Sequence, residues 1–269
     1  MKVESNNGVL SISGVVSYEG FKINVYQFLV DGMLIDTGAY RLLNELIPIY
    51  TENTIDLVCL THDHEDHNGT AAWLQQNKQV PIYIHAHSVE NCLKEASYPD
   101  YRKKMWGIRE PFEAHPYEGA IIQSKNYSWE LIHTPGHEEN HISLLNQEKG
   151  ILFSGDLFVA PKTRIIMESE SIPETMDSIR KLLNYDFTEM YCSHSGYHND
   201  GRNKLKMKLD YLEELSGNIR ELYGEGKTIE EIDKELFPRV PPLTYLSTNQ
   251  WDSKHIIRSI LESEAKKVW

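Results

Sequence analysis

The sequence predicts a mixed α/β fold, and three patterns carry that expectation. The chain opens with short runs rich in β-branched and apolar residues, Val9 to Val16, Val25 to Val30 and Met33 to Ile35, which read as antiparallel strands. From Tyr40 to Ala96, stretches with apolar residues at helical spacing alternate with short apolar runs, a β-α-β-α succession. From Lys204 onward the pattern is mainly helical.

Each element has a local reason. Asp31-Gly32 is a two-residue hairpin signal between its flanking strands. Tyr40 to Tyr50 reads as a helix that Thr51 to Thr54 breaks, Ile55 to Leu60 as a buried strand, Ala71 to Gln76 as helix, Pro81 to Ile84 as strand and Ser88 to Ala96 as helix. Between Ser97 and Gly119 the periodicity fails, and Tyr98, Tyr101, Trp106, Phe112 and Tyr117 mix with proline and charge. This is the composition of an insertion, either a lid over a pocket or a surface excursion held by its own aromatics. Trp129 to His133, Ile142 to Leu145 and Ile151 to Phe153 give strands of a second sheet, with Gln147 to Gly150 as the turn between the last two. Ser171-Ile172-Pro173-Glu174 has the form of a capping box opening a helix to Leu183, and Met190 to Cys192 follows as a strand. Helices then span Lys204 to Tyr223, Thr228 to Leu236 with Thr228 and Glu231 as a second capping box, and Ser253 to Val268.

At 269 residues, with 40% apolar and 25% charged side chains, the chain fits one large globular domain. A formal net charge of −13 argues against a generic polyanion partner, since nucleic-acid binding leans on a basic face. No early apolar run suits a signal peptide and none is long enough for a membrane span, so a soluble, cytoplasmic protein is expected. Cys59, Cys92 and Cys192 are too few and too scattered for a disulfide framework. Cys59 and Cys192 sit in apolar runs and read as core, with a thiolate ligand from Cys192 as the lesser alternative.

The chemistry concentrates in Thr61 to Gly69, Thr-His-Asp-His-Glu-Asp-His-Asn-Gly, where His62, His64, Asp66 and His67 make the pattern HxHxDH. The stretch follows a predicted buried strand, so residues two apart, His62 and His64, point the same way and can grip one cation. If the chain then curls into a helix, Asp66 and His67 face a second position beside the first. Imidazole and carboxylate at this density suit zinc, with iron or manganese as alternatives; a loop of solvated histidines is the competing reading. Three later residues also follow strands and are flanked by glycine: His137 beside Gly136, Asp156 beside Gly155, and His194 near Gly196. Glycine there permits the tight turn that brings a ligand close.

Taken in order, these motifs resemble those of the metallo-β-lactamase superfamily: HxHxDH, a Pro-Gly-His, an Asp after a glycine and a final His, over about residues 25 to 200. The resemblance implies a four-layer αβ/βα sandwich (the metallo-β-lactamase fold), here with extra C-terminal helices. It divides the chain into a catalytic domain, residues 1–203, and a helical extension, residues 204–269, packed on it. It further implies two divalent metal ions, zinc foremost: one held by His62, His64 and His137, the other by Asp66, His67 and His194, with Asp156 bridging. Asp36, in Asp-Thr-Gly, matches a residue behind the metals in such proteins, or is a simple strand cap. His141 falls where relatives carry a supporting residue and is not named a ligand. His85 and His87 read as exposed or supporting, His115, His133, His198 and His255 have no ligand context, and Tyr197 and His198 are candidates to touch substrate, with a surface loop as the favoured alternative.

Two cations sharing a hydroxide perform hydrolysis, and Asp66 is the residue expected to orient the nucleophile or shuttle its proton. The expected enzyme is a metal-dependent hydrolase of an ester, thioester or lactone, similar to glyoxalase II or a lactonase. The alternatives are a mononuclear-iron oxidoreductase of the persulfide dioxygenase kind, a phosphodiesterase of the same superfamily, and a metal-binding module without catalysis. The expected partner is a small molecule, with neither nucleic acid nor membrane, and a homodimer is left open.

Overall fold

The computed structural model describes residues 1–265; the predicted end of the last helix, at Val268, lies outside the described residues. The first sheet has seven strands in sequence order: β1 (Lys2–Asn6), β2 (Val9–Tyr18), β3 (Phe21–Val30), β4 (Met33–Ile35), β5 (Leu57–Cys59), β6 (Ile82–Ile84) and β7 (His115–Pro116). β1 to β4 are joined by two-residue turns at Asn7-Gly8, Glu19-Gly20 and Asp31-Gly32, each with both residues at positive φ. That backbone matches the right-handed twist of a hairpin, and a glycine in the second place takes it without strain. From β4 to β7 the pairing is parallel, because helices now carry the connections: α1 (Leu43–Glu52), α2 (Glu65–Asn68), α3 (Ala71–Lys78), α4 (Val89–Cys92) and α5 (Asp100–Trp106).

The second sheet contains β8 (Ile121–Gln123), β9 (Ser128–His133), β10 (Ile142–Asn146), β11 (Ile151–Gly155), then, beyond the short strand β12 (Ile166–Met167), β13 (Glu189–Cys192) and β14 (Gly196–His198), in the order β14-β13-β11-β10-β9-β8. β12 pairs instead with β15 (Trp251–Asp252). The remaining helices are α6 (Ile172–Leu182), α7 (Gly201–Gly224), α8 (Ile229–Leu236), α9 (Pro242–Leu246) and α10 (Ser253–Ala265).

Strand alternation sorts these pieces into four layers. Phe28, Val30, Met33 and Ile35 of the first sheet meet Trp129, Leu144, Phe153 and Tyr191 of the second in a core between the sheets. The intervening residues face outward. Leu29 and Leu34 pack under α1 and α3, with Leu46, Tyr50 and Leu74, and Leu145, Leu152 and Met190 pack under α6, α7, α8 and α10, with Ile179, Leu212, Ile232 and Ile257. This is the four-layer αβ/βα sandwich that the resemblance implies. No helix among the described residues is long and apolar enough to cross a membrane.

Three local expectations need correction. The helix predicted over Ser88 to Ala96 stops at Cys92, because the Arg109 guanidinium takes the carbonyls of Asn91, Cys92 and Lys94 that a longer helix would use. The insertion 97–119 is not wholly irregular, since it contains α5 and lends β7 to the first sheet. The Ser171 capping box is half made: its hydroxyl accepts from the Glu174 amide without a return bond, whereas Thr228 and Glu231 form both halves.

Candidate metal centre

Strand ends and the helical turn just after β5 deliver the donors. His62 and His64 follow β5 and Asp66 and His67 lie in the single turn of α2; His137 follows β9, Asp156 follows β11 and His194 follows β13. β11 and β13 run parallel, and β10 lies between β9 and β11 and is antiparallel to both, so the ends of β9, β11 and β13 open on the same side. The sheets are stitched there by the Ile142 amide on Thr61 O at 2.9 Å and the Tyr26 amide on Ser193 O at 2.8 Å. At Gly155, with φ +51°, a Cβ would lie 2.4 Å from His141 Nε2, which is the acceptor of the Asp156 amide. Only glycine lets the turn and its supporting histidine share that space.

The donors converge in two groups. His62 Nε2 and His137 Nε2 each lie 3.1 Å from His64 Nδ1. Beside them His194 Nε2 lies 3.3 Å and His67 Nε2 3.7 Å from Asp66 Oδ2. Asp156 stands between the groups, with Oδ1 at 3.4 Å from His67 Nε2 and Oδ2 at 3.1 Å from His194 Nε2 and 3.6 Å from His137 Nε2. Within each of three triads the donor atoms lie within 4.8 Å of one another. All seven predicted residues are therefore brought together.

Each imidazole uses its other nitrogen on the protein. His62 Nδ1 contacts Thr61 Oγ1 at 3.0 Å, His64 Nε2 contacts Glu138 Oε1 at 2.8 Å, and His67 Nδ1 contacts Asp36 Oδ2 at 2.8 Å. His137 Nδ1 meets Glu170 Oε2 at 3.0 Å and His194 Nδ1 meets Asn24 O at 2.7 Å. Such outer partners fix the tautomer and aim the free nitrogen inward. Asp36 is thus more than a strand cap, since it also accepts from the Thr61 amide at 2.8 Å. The sequence reading missed Glu138 and Glu170. Glu138 adjoins His137 and was open to inspection, but Glu170 is distant in sequence and carries no motif. Asp63 and Glu65, inside the motif, turn away: Asp63 accepts from Asn140 and Asn91, and Glu65 holds Arg102 of α5 as a two-bonded ion pair.

These residues fit a cation. His67 Nε2 and Asp156 Oδ1 are buried in the cluster with no hydrogen-bond partner, and buried polar atoms are seldom left so. The electrostatics agree. Burial opposes charge on His67 and His194, yet the carboxylates, led by Asp156, outweigh it and lift both well above the ordinary imidazole range. His62, where burial acts beside other histidines, is held well below it. Divalent cations among the same atoms would satisfy that negative charge and leave the imidazoles neutral.

The cluster opens into a cavity of about 490 Å³. Its apolar walls include Phe21 and Ile23 at the β2–β3 hairpin, Leu157, Ile165 and Ile166 after β11, Tyr101 and Trp106 on α5, and Leu243 and Trp251 in the C-terminal segment. Tyr101 OH bonds to Gln250 and joins the last two. Of the aromatics in 97–119, Tyr101 and Trp106 therefore line the cavity, while Phe112 is core, Tyr98 OH bonds to the Gly107 carbonyl and Tyr117 OH donates to Leu60 O at 2.9 Å. Tyr197 and His198, the substrate-contact candidates, are not among the described lining residues; Tyr197 packs on Tyr191, and His198 Nε2 contacts Ser195 Oγ at 2.9 Å with its ring on Phe158. Their alternation on β14 turns them into packing. His141 supports Asp156, His85 and His87 meet edge to face outside the donor groups, and Cys192 is buried in the outer core.

A family model described as "Metallo-beta-lactamase superfamily" matches residues 24–194. The chain belongs to the metallo-beta-lactamase superfamily. The "Beta-lactamase-like protein 2 homolog" of Caenorhabditis elegans is 27% identical over 210 residues, covering 74% of this chain. The "Hydroxyacylglutathione hydrolase GloC" of Haemophilus influenzae is 30% identical over 131 residues, 46% of this chain. The matches span 63% and 59% of those two proteins, so this chain covers less than two thirds of their length. The solved structure of a beta-lactamase domain protein from Burkholderia ambifaria aligns with a TM-score of 0.72 at 16% identity, over 97% of this chain and 88% of that one. The chain has that superfamily's fold.

Proposed function

We propose that this member of the superfamily is an enzyme, a hydrolase that cleaves an ester, thioester or lactone bond in a small organic substrate. It would use two divalent metal ions, zinc foremost, one held by His62, His64 and His137 and the other by Asp66, His67 and His194, with Asp156 shared. The observation that supports this best is the convergence of seven donors whose outer nitrogens are already engaged. When bound, the metal pair lowers the pKa of water and polarises a carbonyl. The chain's own residues do the rest. Asp66 accepts a hydrogen bond from the attacking water and carries its proton toward the leaving group. Glu138, Glu170 and Asp36 keep the imidazoles aimed, and the apolar walls hold the organic part of the substrate against the cluster and exclude bulk water. We read residues 1–203 as the catalytic domain and 204–269 as its extension, because Lys208, Leu243 and Trp251 of the extension complete the cavity wall. The relative named hydroxyacylglutathione hydrolase favours the carbonyl chemistry.

A substrate panel tests the proposal. Metal-loaded protein should turn over at least one ester, thioester or lactone, and chelation should abolish that turnover. Activity confined to phosphodiesters, or none with any carbonyl substrate in fully loaded protein, would overturn it.

A further inference from the structure

The pattern HxHxDH leaves position 65 open, and this chain fills it with a glutamate that is only 3% exposed. Glu65 begins α2, the single turn that carries the donors Asp66 and His67. The far end of that turn is well tied, because the amide and the hydroxyl of Thr37 both donate to His67 O, at 2.6 and 3.0 Å. The near end has less to hold it. His64, just before the turn, makes no side-chain capping bond, and the Glu65 carboxylate has Arg102 as its one hydrogen-bond partner among the described residues.

Arg102 comes from the insertion. It lies on α5 with its side chain 12% exposed, and it meets Glu65 through two donors, Nε on Oε1 and Nη2 on Oε2, the latter at 2.9 Å. Its Nη1 reaches the sulfur of Met167 at 3.7 Å, a weak acceptor. A guanidinium joined to a carboxylate by two bonds fixes direction as well as distance. Buried pairs of this kind add little net stability over apolar side chains of similar size. The pair is also neutral as a unit, so it does not alter the net charge beside the donors.

We propose that Arg102 is a positioning residue of the metal centre. Through Glu65 it holds the start of α2 so that Asp66 faces His67 and His194, and it thereby couples the inserted helix α5 to that group of donors. The coupling is reciprocal: if a docked α5 favours the ion, the ion favours the docked α5 by the same factor. The inference rests on the two-ion reading above.

The test is the double variant Glu65→Leu/Arg102→Met, which removes the pair while keeping net charge and approximate volume, so that a change in affinity reports position. Stepwise zinc binding is followed by competition with a chromophoric chelator, beside the wild type. One of the two binding steps should weaken about tenfold or more while the other holds. Two steps at wild-type strength overturn the proposal, and so does equal weakening of both, which a general loosening of the site would produce. If the double variant does not fold, hydrogen exchange in the wild type decides. The amides of α5 should exchange about tenfold or more slowly once zinc is loaded, and protection indifferent to zinc overturns the coupling. Failure of the two-ion reading would appear separately, as a single binding step in the wild type.

Discussion

At the scale of single residues, each histidine of the centre has one nitrogen committed to the protein and one left for a ligand, and the committed side has measurable value. Glu170→Gln keeps the shape of the His137 partner but removes its charge, so metal affinity should fall about 10- to 100-fold with the fold intact; competition with a chromophoric chelator would measure it, and an unchanged affinity would refute the role. Asp156→Ala should lower metal content and turnover together, because Asp156 touches His67, His137 and His194 at once. Lys208 makes a prediction in pH. Unfolded, it keeps its proton to about 10.5, while in the fold burial drops the pKa to about 8, so between those values the unfolded state binds more protons and stability rises with pH. Below 8 the penalty is complete. Denaturant titrations should show the wild type gaining on Lys208→Met across that window, by a few kcal/mol at most; a flat difference would mean that the amine is hydrated. The seven donors were legible because each sits at a strand end beside a small residue or within one short motif. Glu170 and Lys208 were not, because their roles arise only when β12 and α7 fold back onto the cluster.

At the scale of elements, α5 decides how the insertion should be understood. Its Arg102 grips Glu65, next to the donor Asp66, while Trp106 lines the cavity and is 7% exposed. Trp106→Ala should therefore lower kcat/KM for the best substrate by about tenfold or more while leaving metal content unchanged, since a wall is lost and no ligand is touched. Unaltered kinetic constants would return α5 to a purely structural role. The aromatic composition of 97–119 advertised a pocket wall, but not which aromatics would form it. Phe112 and Tyr117 are equally aromatic and are consumed by packing and by the Leu60 carbonyl. The end of α4 was hidden for a related reason, as the Arg109 that takes its carbonyls lies in the insertion, beyond any local window. β1 escaped because Lys2 to Asn6 is mostly polar and exposed, although Asn7-Gly8 carries the same hairpin signal as Asp31-Gly32.

For the whole molecule, the four layers were legible through strand alternation and helical periodicity, while the order of strands in each sheet was not, since pairing is decided between distant segments. The centre lies where the two sheets are stitched together, so it is part of what holds them. Removing metal should then lower Tm, by concentrating the charge of Asp36, Asp66 and Asp156 on buried imidazoles, and restoring it should raise Tm in a concentration-dependent way; a Tm indifferent to chelator would place the metals outside the fold's stability. Seven donors in two adjoining groups should hold two cations. Metal analysis of the purified chain, as isolated and after equilibration with zinc or manganese, tests it most directly. The prediction is a stoichiometry that rises to two per chain and falls in Asp156→Ala. A stoichiometry fixed near one, unmoved by added metal, would contradict it.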